Sequence, residues 1–333
     1  MVTAHFRNTF PLAKLFGADL GFFSHCLTTT EAIPERRLDA QYFVDVRQLN
    51  PSLLSGMDVV IHLAAISNDP MGKAYEKVTD EINHQSSINI AKAAREAGVK
   101  RYVFASSCSV YGFTDGGPRD ESSPLNPLTA YARSKIDTEK DIADLVTDEF
   151  MITCLRFPTA CGMSDRLRLD LVLNDFVASA VATNKIDILS DGSPWRPLID
   201  VKDMARAMEW ASTRTEGGQF LTINVGRNEW NYQVKDLAQA VKDQMSHIDI
   251  AINPDAPPDK RSYQVNFDKY NALAPNHLPQ IDLARSISEL HEGLKRINFS
   301  DTNFRNSNFI RLNVLNNHQN KHHIDDSLNW IKS

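Results

Sequence analysis

The sequence has 333 residues, of which 42% are hydrophobic and 23% charged, and this composition is typical of a globular protein rather than a disordered or fibrous one. A prior of roughly 150 residues per domain favours two domains. The net charge of -6 provides no general attraction for nucleic acids or anionic membranes, so neither is an expected partner.

The cysteines and the opening residues favour a reducing compartment. The four cysteines are scattered without a Cys-x-x-Cys pair, so neither a disulfide framework nor a zinc site is indicated, and we expect no metal. No apolar run approaches the roughly 18 residues that cross a bilayer. The opening residues do not resemble a targeting peptide. We therefore expect a cytoplasmic protein with reduced thiols.

Short apolar runs alternate with amphipathic stretches between residues 40 and 157. We predict strands at 42–44, 58–65, 101–106 and 151–157, and helices at 79–97 and 129–147. The run 58–65 is almost continuously apolar, as expected of a parallel strand that is buried on both faces. Strands that alternate with helices of this length predict an α/β fold, a doubly wound, Rossmann-like parallel sheet. Ligands of such sheets bind beyond the carboxyl ends of the strands.

Beyond residue 157 the pattern is less regular. We predict a helix at 170–184, a loop at 190–197 and a strand at 220–225. From residue 298 the chain is rich in Asn, and His318, His322 and His323 lie close together. A metal-binding tract is one interpretation, and a solvated polar linker before a last short helix is the favoured one.

The sharpest group of reactive residues lies between residues 104 and 135. Tyr131 and Lys135 are four residues apart in a predicted helix, so they share one face of it. Free tyrosine has a pKa of about 10 and is a poor base at neutral pH, but a neighbouring ammonium group favours its phenolate. Ser107 ends the preceding predicted strand and could hydrogen-bond the same substrate oxygen. Together these groups suit proton transfer coupled to hydride transfer.

At these residues the sequence resembles the extended short-chain dehydrogenase/reductase family, in its branch of NAD-dependent nucleotide-sugar epimerases and dehydratases. The resemblance covers about residues 12 to 330. It rests on Asn83, Arg156 and five motifs, namely HLAA at 62–65, SSCSVYG at 106–112, YARSK at 131–135, SDGSPWRPLIDVKDMARA at 190–207 and INVG at 223–226.

The resemblance implies a role for each matching residue. The catalytic residues would be Tyr131 as base, Lys135 as its partner and a ribose ligand, and Ser107 as the oxyanion partner. NAD is the implied cofactor, and besides Tyr131 and Lys135 its binding residues would be Asp19, Asp45, Ala64, Ala65 and Asn83. Asp19 would bind the adenosine ribose and Asp45 the adenine. The substrate residues would be Ser109, Asn174 and Arg196, with Arg261 as a weaker candidate.

The sequence departs from the family pattern at two places. The 4,6-dehydratases have an Asp-Glu pair where this chain has Cys108 and Ser109, which cannot act as a carboxylate acid and base, so dehydration is disfavoured. The family also opens with a buried strand and a glycine-rich turn that holds the pyrophosphate. Residues 1–16 contain no glycine, 8–16 resemble the helix that follows the turn, and 17–23 resemble the end of the second strand.

The first strand of the family is therefore missing or atypical. Because that strand is central in the 3-2-1-4-5-6 order, its loss leaves two neighbouring edges unpaired, at about 1–3 kcal/mol for each buried group. Either residues 2–6 form a poor substitute strand, or the chain represents a truncated or misread start, and the second interpretation is favoured.

The domain division and function follow from the resemblance. We expect an N-terminally incomplete NAD(P)-binding domain at 1–157 and a mainly substrate-binding α/β region at 158–333, with 198–226 returning to the first sheet. The expected function is epimerisation of a nucleotide-activated sugar through a transient keto intermediate. A net sugar oxidoreductase and a non-catalytic binding or regulatory protein remain open. The resemblance also implies a homodimer formed through a helix bundle.

Overall fold

Strands and helices alternate along most of the chain in this computed structural model, which describes residues 1–29, 32–67, 69–114, 116–253, 256 and 262–331. The strands are β1 (Phe16–Asp19), β2 (Ala40–Phe43), β3 (Val59–His62), β4 (Arg101–Ser107), β5 (Met151–Phe157), β6 (Thr159–Cys161), β7 (Lys185–Ile188), β8 (Trp195–Asp200), β9 (Phe220–Asn224), β10 (Asn231–Gln233) and β11 (Asp249–Ile252).

Helices lie on both faces of the parallel sheet. They are α1 (Val2–Thr9), α2 (Asp69–Ala74), α3 (Glu76–Asp80), α4 (Ser86–Glu96), α5 (Ala130–Ala143), α6 (Val172–Thr183), α7 (Val201–Thr213), α8 (Val234–Gln244), α9 (Asp268–Leu273), α10 (Leu283–Arg296) and α11 (Arg311–Asn320). A π-helical turn, Glu81–Gln85, joins α3 to α4. None of the helices in the described ranges is both long and apolar enough to cross a membrane.

The central sheet has the strand order β3-β4-β5-β9, and all of its pairs are parallel. Its strands are apolar because helices cover both faces, and β5 is buried at every residue. The predicted α/β fold with a doubly wound parallel sheet is confirmed. The register places Ser107, the last residue of β4, opposite Phe157 at the end of β5. The carboxyl ends of both strands therefore meet at one edge of the sheet.

Residues 2–9 form a helix, so the less favoured alternative of a substitute strand at residues 2–6 is wrong. Val2 and Phe6 lie one turn apart on α1 and pack into a cluster with residues of α7. The helix ends at Thr9 because Pro11 disfavours a helical conformation at Phe10, the residue before it. The helix expected at 8–16 therefore lies nearer to the start of the chain, and residues 16–19 form β1 instead.

The strand β3 has a partner on one edge only in the described part of the chain. It pairs with β4, whereas β1 and β2 pair with each other in a separate parallel sheet. As a result Val59, Val60 and Ile61 are half-buried. Val59 and Ile61 pack against one core cluster and Val60 against another, so both faces of β3 meet the core as predicted, although its second edge has no partner strand among the described residues. Phe43 at the end of β2 is 71% exposed.

Helix α5 carries the Tyr-x-x-x-Lys motif in its first two turns. It begins because the Thr129 hydroxyl accepts a hydrogen bond from the backbone N–H of Ala132 at 3.1 Å, an N-cap. The apolar residue Ile142 is fully buried towards the sheet. Capping and burial together fix the helix beside the carboxyl end of β4.

The C-terminal half builds a second core from α6, α8 and α10, with the small sheets β10-β8-β6 and β11-β7. The segment 198–226 returns in part to the central sheet, since β9 pairs with β5. The strand β8 belongs to another sheet, with β6 and β10 as its neighbours. The division into domains at residue 157 stays a prediction.

The Asn-rich stretch after residue 298 packs against the protein, so the expected solvated linker is wrong. Val314 and Leu315 on α11 are buried, as is Leu328 beyond it. Leu315 and Leu328 join a cluster with Phe22, which supplies the driving force for packing. No group of side chains that could hold a metal is found in the described ranges, and His318 instead pairs its Nε2 with the carbonyl of Phe22.

Candidate active site

A cavity of about 1130 Å³ opens at the carboxyl ends of the central strands. A single-ligand pocket commonly has roughly 300–1,000 Å³, so this cavity has room for a large ligand or for two. The sheet side is lined by Leu63, Ala65, Ser67, Ser107, Ser109, Tyr131 and Lys135. The C-terminal half lines the other side with Arg168, Asp170, Asp175, Arg196, Tyr263 and Arg305.

The structure brings Ser107, Tyr131 and Lys135 to the same cavity. The Lys135 Nζ atom lies 5.6 Å from the centre of the Tyr131 ring and donates a 2.7 Å hydrogen bond to the carbonyl of Ala105 on β4. It also lies 4.6 Å from the centre of the Phe104 ring, whose face attracts a cation. The lysine is therefore held between its own helix and the strand that ends at Ser107.

Burial controls the charge of Lys135, which is only 3% exposed. Removal from water lowers the pKa of its ammonium group from 10.5 to about 8, and the nearby Glu139 carboxylate partly opposes this effect. Lys135 is therefore cationic at neutral pH but gives up its proton far more readily than a lysine in water. Such a group can stabilise a neighbouring phenolate and respond to its surroundings.

The turn after β4 carries one free hydroxyl and one inert thiol. The Ser107 Oγ accepts a hydrogen bond from the N–H of Ser109 at 3.1 Å, which fixes the turn. Ser109 Oγ is buried, lines the cavity, and has no hydrogen-bond partner within the described residues. Cys108 is fully buried and donates to the carbonyl of Arg156, and burial raises the pKa of its thiol well above 9. Cys108 is thus a packing residue.

The acids at the ends of β1 and β2 have different surroundings. Asp19 is exposed, and its Oδ1 accepts from the N–H of Gly21 at 2.6 Å. Asp45 is ion-paired with Arg47 at 2.5 Å and also caps the following turn. Arg47 in turn donates to the carbonyl of Ser327 at 2.7 Å. Asp19 is free to meet a ligand, whereas Asp45 is held by the protein, and the cofactor roles of both stay predictions.

The remaining residues predicted to bind the cofactor lie around the end of β3. Ala65 lines the cavity, and Ala64 is half-buried beside it. Asn83 is fully buried, and its amide accepts from the N–H of Ile66 at 2.7 Å while donating to the carbonyl of Ile66 and to Ser134. Asn83 therefore fixes the loop after β3 against α5 rather than lining the cavity. Its contact with a cofactor stays a prediction.

The residues predicted to hold the substrate have different positions relative to the cavity. Arg196 lines the cavity and donates to the carbonyl of Trp195. Asn174 is buried, and its amide accepts from the N–H of Gly162 and donates to the carbonyl of Arg168. It shapes the cavity wall from behind. Arg261 lies outside the described residues, and the roles of all three stay predictions.

Two further arginines in the cavity wall have no signal in the sequence. Arg168 forms an ion pair with Asp170 at 2.9 Å and donates to the Ser67 Oγ at 2.9 Å, which ties the two halves of the cavity together. Arg305 pairs with Asp175 at 2.8 Å, from a position 130 residues away in the chain. No pattern in a single sequence marks these two arginines, because their place in the cavity wall depends on how distant segments of the chain pack together.

The parallel sheet, the helices on both its faces and a Ser, Tyr and Lys group at the strand ends define an enzyme of the extended short-chain dehydrogenase/reductase type. The chain belongs to the NAD dependent epimerase/dehydratase family, whose profile matches residues 29–226, more than half of its length. NAD is the cofactor of this family. The resemblance drawn from the sequence motifs is therefore confirmed.

Two curated relatives are UDP-glucose epimerases by name. A Methanocaldococcus jannaschii protein, provisionally assigned as a UDP-glucose 4-epimerase, is 28% identical over 73% of this chain and 78% of its own. The UDP-glucose 4-epimerase of Corynebacterium glutamicum is 24% identical over 61% of this chain and 66% of its own. The match thus covers nearly four fifths of the first relative and just under two thirds of the second.

Among solved structures, the protein MoeE5 in complex with UDP-glucuronic acid and NAD has a TM-score of 0.74 against this chain. The alignment covers 89% of this chain and 94% of MoeE5, at 20% sequence identity. At this level of identity the likeness shows the fold alone.

The residues that line the cavity at the strand ends are suited to the nicotinamide half of NAD. Tyr131, Lys135 and Ala65 line one part of the cavity, and the start of α1 reaches it through Met1 and Val2. Helix N-termini bind phosphate groups, so this is a suitable place for a diphosphate. The adenosine half differs, since the carboxylate of Asp45 is taken up by Arg47.

Proposed function

We propose that this protein is an NAD-dependent epimerase of nucleotide-activated sugars. The observation that carries the proposal is that Ser107, Tyr131 and Lys135 line one cavity, with the ammonium group of Lys135 5.6 Å from the centre of the Tyr131 ring. A base, a cation that stabilises its anionic form and a hydroxyl donor are the groups that alcohol oxidation requires.

Each residue has a separate task in the proposed reaction. Tyr131, as phenolate, removes the proton of a sugar hydroxyl, and Ser107 donates a hydrogen bond to the oxygen that is left. Lys135 stabilises the phenolate electrostatically. NAD bound beside these residues would supply hydride transfer in both directions. A keto sugar that presented its other face to the cofactor would then be reduced with inversion, with Tyr131 returning the proton. One carbon is inverted with no net oxidation.

The turn after β4 disfavours dehydration. Elimination of water requires an acid and a base beside the catalytic hydroxyl, and these positions hold Cys108 and Ser109. The Cys108 thiol is buried and its pKa is raised well above 9, so it does not ionise at neutral pH. Ser109 carries a buried hydroxyl without a hydrogen-bond partner among the described residues, and a hydroxyl cannot replace a carboxylate base at neutral pH.

The opposite wall of the cavity carries three arginines and the carboxylate partners of two of them, so its polar groups suit a substrate with a large polar part. Arg196 lines it, and Arg168 and Arg305 lie there with their carboxylate partners. Arginine binds diphosphate oxygens well because its donors form a planar fork. Together with the volume of about 1130 Å³, this supports a nucleoside diphosphate sugar beside the cofactor.

UDP-galactose incubated with the protein and NAD tests this function, with proton NMR of the sugar as the measurement. We expect UDP-glucose to appear while the absorbance of the reduced nicotinamide stays flat after the first turnover. Steady accumulation of NADH in proportion to product would instead support the net oxidoreductase. Absence of any product across UDP-galactose, UDP-N-acetylgalactosamine and UDP-glucuronic acid would contradict the proposal.

A non-catalytic binding or regulatory protein is the second candidate. It is favoured by the ion pair of Asp45 with Arg47, which occupies the carboxylate predicted to meet adenine. Calorimetry with NAD separates the two candidates. Saturable binding in the micromolar range contradicts this alternative, and no binding at millimolar NAD would contradict the epimerase.

A homodimer and a cytoplasmic location remain predictions. The four cysteines are buried and unpaired, which agrees with a reducing compartment. Sedimentation velocity over a hundredfold range of concentration tests the dimer, and a single species of monomer mass throughout would contradict it.

A further inference from the structure

A buried carboxylate lies one helical turn after Lys135 on α5. Glu139 is 6% exposed, and its Oε1 accepts a 2.5 Å hydrogen bond from the Ser106 hydroxyl on β4. Its Oε2 accepts from the Nη2 of Arg156 on β5 at 2.6 Å, and its Oε1 from the Nε at 3.0 Å. A single side chain therefore joins the helix that carries Tyr131 to the two central strands.

The network continues from Arg156 to the turn after β4. The Nη1 of Arg156 donates to the hydroxyl of Tyr111 at 3.0 Å, and that hydroxyl donates to the Oδ1 of Asn224 on β9 at 2.8 Å. The segment 106–111, which contains Ser107, is thus held at both ends by groups that depend on Glu139 and Arg156. Movement of either end would displace the Ser107 hydroxyl.

Stability alone gives a weak reason for this arrangement. Two charges buried in a core lose their hydration, and well-packed apolar residues of the same volume often stabilise a protein equally well or better. Arg156 and Glu139 are 5% and 6% exposed and lie directly behind the cavity. A role in positioning and charge therefore explains the pair better than packing does.

We propose that Glu139 is a positioning residue for the catalytic group, acting on Ser107 through Ser106 and on Lys135 through its negative charge. This inference rests on the proposed function. The Ser106 contact fixes the end of β4, so that the Ser107 hydroxyl points at the substrate oxygen. The carboxylate keeps the buried amine of Lys135 protonated, which the phenolate of Tyr131 requires.

The groups around Lys135 single out this carboxylate. The groups that interact with its charge are Glu139, Cys154 and His62. Tyr131 lies one turn before it, and Arg156 is ion-paired with Glu139 at 2.6 Å. Burial keeps His62 neutral, since its pKa is lowered to about 3, and keeps Cys154 a neutral thiol, since its pKa is raised well above 9. Glu139 thus supplies the negative charge that opposes the desolvation of Lys135.

The variant Glu139→Gln tests the charge and keeps the shape of the side chain. The titration of Lys135 can be followed by heteronuclear NMR of its side chain in the protein without cofactor, with Lys135→Arg to assign the signal. We expect its midpoint to fall by about one pH unit, because an opposite charge one helical turn away has been removed. The pH at which kcat/KM for UDP-galactose begins to decline should fall by the same amount.

Ser106→Ala tests the positional half, and it applies even where Glu139→Gln fails to fold. It removes the link to β4 and leaves both charges, so kcat should fall about tenfold while the Lys135 midpoint stays in place. Asp203→Asn is the matched control, because Asp203 is a buried carboxylate on α7 that accepts from the N–H groups of Gln280 and Ile281, away from Lys135. It should lower stability without moving the midpoint.

The outcomes separate the inference from the proposed function. An unmoved Lys135 midpoint in folded Glu139→Gln overturns the role of its charge, and full kcat in Ser106→Ala overturns the positional role. A midpoint that moves as expected in a protein that converts no nucleotide sugar would support the action of Glu139 on Lys135 and refute the epimerase.

Discussion

Lys135 donates its 2.7 Å hydrogen bond to the carbonyl of Ala105, two residues before the end of β4. This contact ties the ammonium group on α5 to the strand that presents Ser107. Burial lowers the pKa of Lys135 to about 8, so its charge changes within an accessible range of pH. This change should affect both the activity and the stability of the protein.

Activity should decline on the alkaline side near pH 8. The ammonium form of Lys135 stabilises the phenolate, and it is lost as pH rises through the lowered pKa of about 8. We expect kcat/KM for UDP-galactose to fall about tenfold for each pH unit above this value. In Lys135→Arg the charge persists at every accessible pH, so any residual activity should lack this limb. A wild-type profile that is flat to pH 10 would show that Lys135 carries no such charge.

Replacement of Lys135 by Met should stabilise the fold and abolish catalysis. In the folded protein the pKa of Lys135 is about 8, below its usual 10.5, so the folded state resists protonation of this amine. The free energy that protonation costs the folded state is fully present below pH 8 and vanishes as pH rises through 10.5. At pH 7 we expect Lys135→Met to raise the free energy of unfolding by about 1–3 kcal/mol. Urea titrations at pH 7 and pH 10 measure this change in the free energy of unfolding. A gain of equal size at both pH values would contradict the buried charge of Lys135 as its cause.

Arg47→Ala should loosen the C-terminal segment. The guanidinium of Arg47 pairs with Asp45 at 2.5 Å and donates to the carbonyl of Ser327 and to the Oδ1 of Asn329. We expect a loss of about 1–3 kcal/mol and faster amide exchange and proteolysis around residue 327. Arg36→Ala, an exposed arginine nearby in sequence, is the control. Equal protection of the segment in both variants would mean that Arg47 does not hold it.

The sequence predicted the parts of the fold that depend on local pattern. The strands β4 and β5 and the helix α5 were found within a few residues, because apolar runs and a Thr cap specify them directly. The grouping of Ser107, Tyr131 and Lys135 also follows from spacing and from the rule that strand ends share one edge. The catalytic roles of these residues still depend on the experiments proposed above.

Features that depend on contacts between distant segments were missed. The helix α1 was read as a strand or a later helix, because its packing against α7 outweighs the weak propensity of residues 2–9. The pairing of Asp45 with Arg47, and of Arg47 with Ser327, has no local pattern. The hydrogen bonds of the Asn174 amide with Gly162 and Arg168 have no local pattern either, and its role as a substrate residue, which the family resemblance implies, stays a prediction.

The most direct test of the enzyme is removal of the Tyr131 hydroxyl alone. Tyr131→Phe and the matched Tyr42→Phe, whose ring is exposed on β2 outside the cavity wall, make the same chemical change. With UDP-galactose and NAD, we expect kcat to fall by about 10²–10⁴-fold in Tyr131→Phe and to stay unchanged in Tyr42→Phe. Equal turnover of UDP-galactose by Tyr131→Phe and the wild type would contradict the central claim.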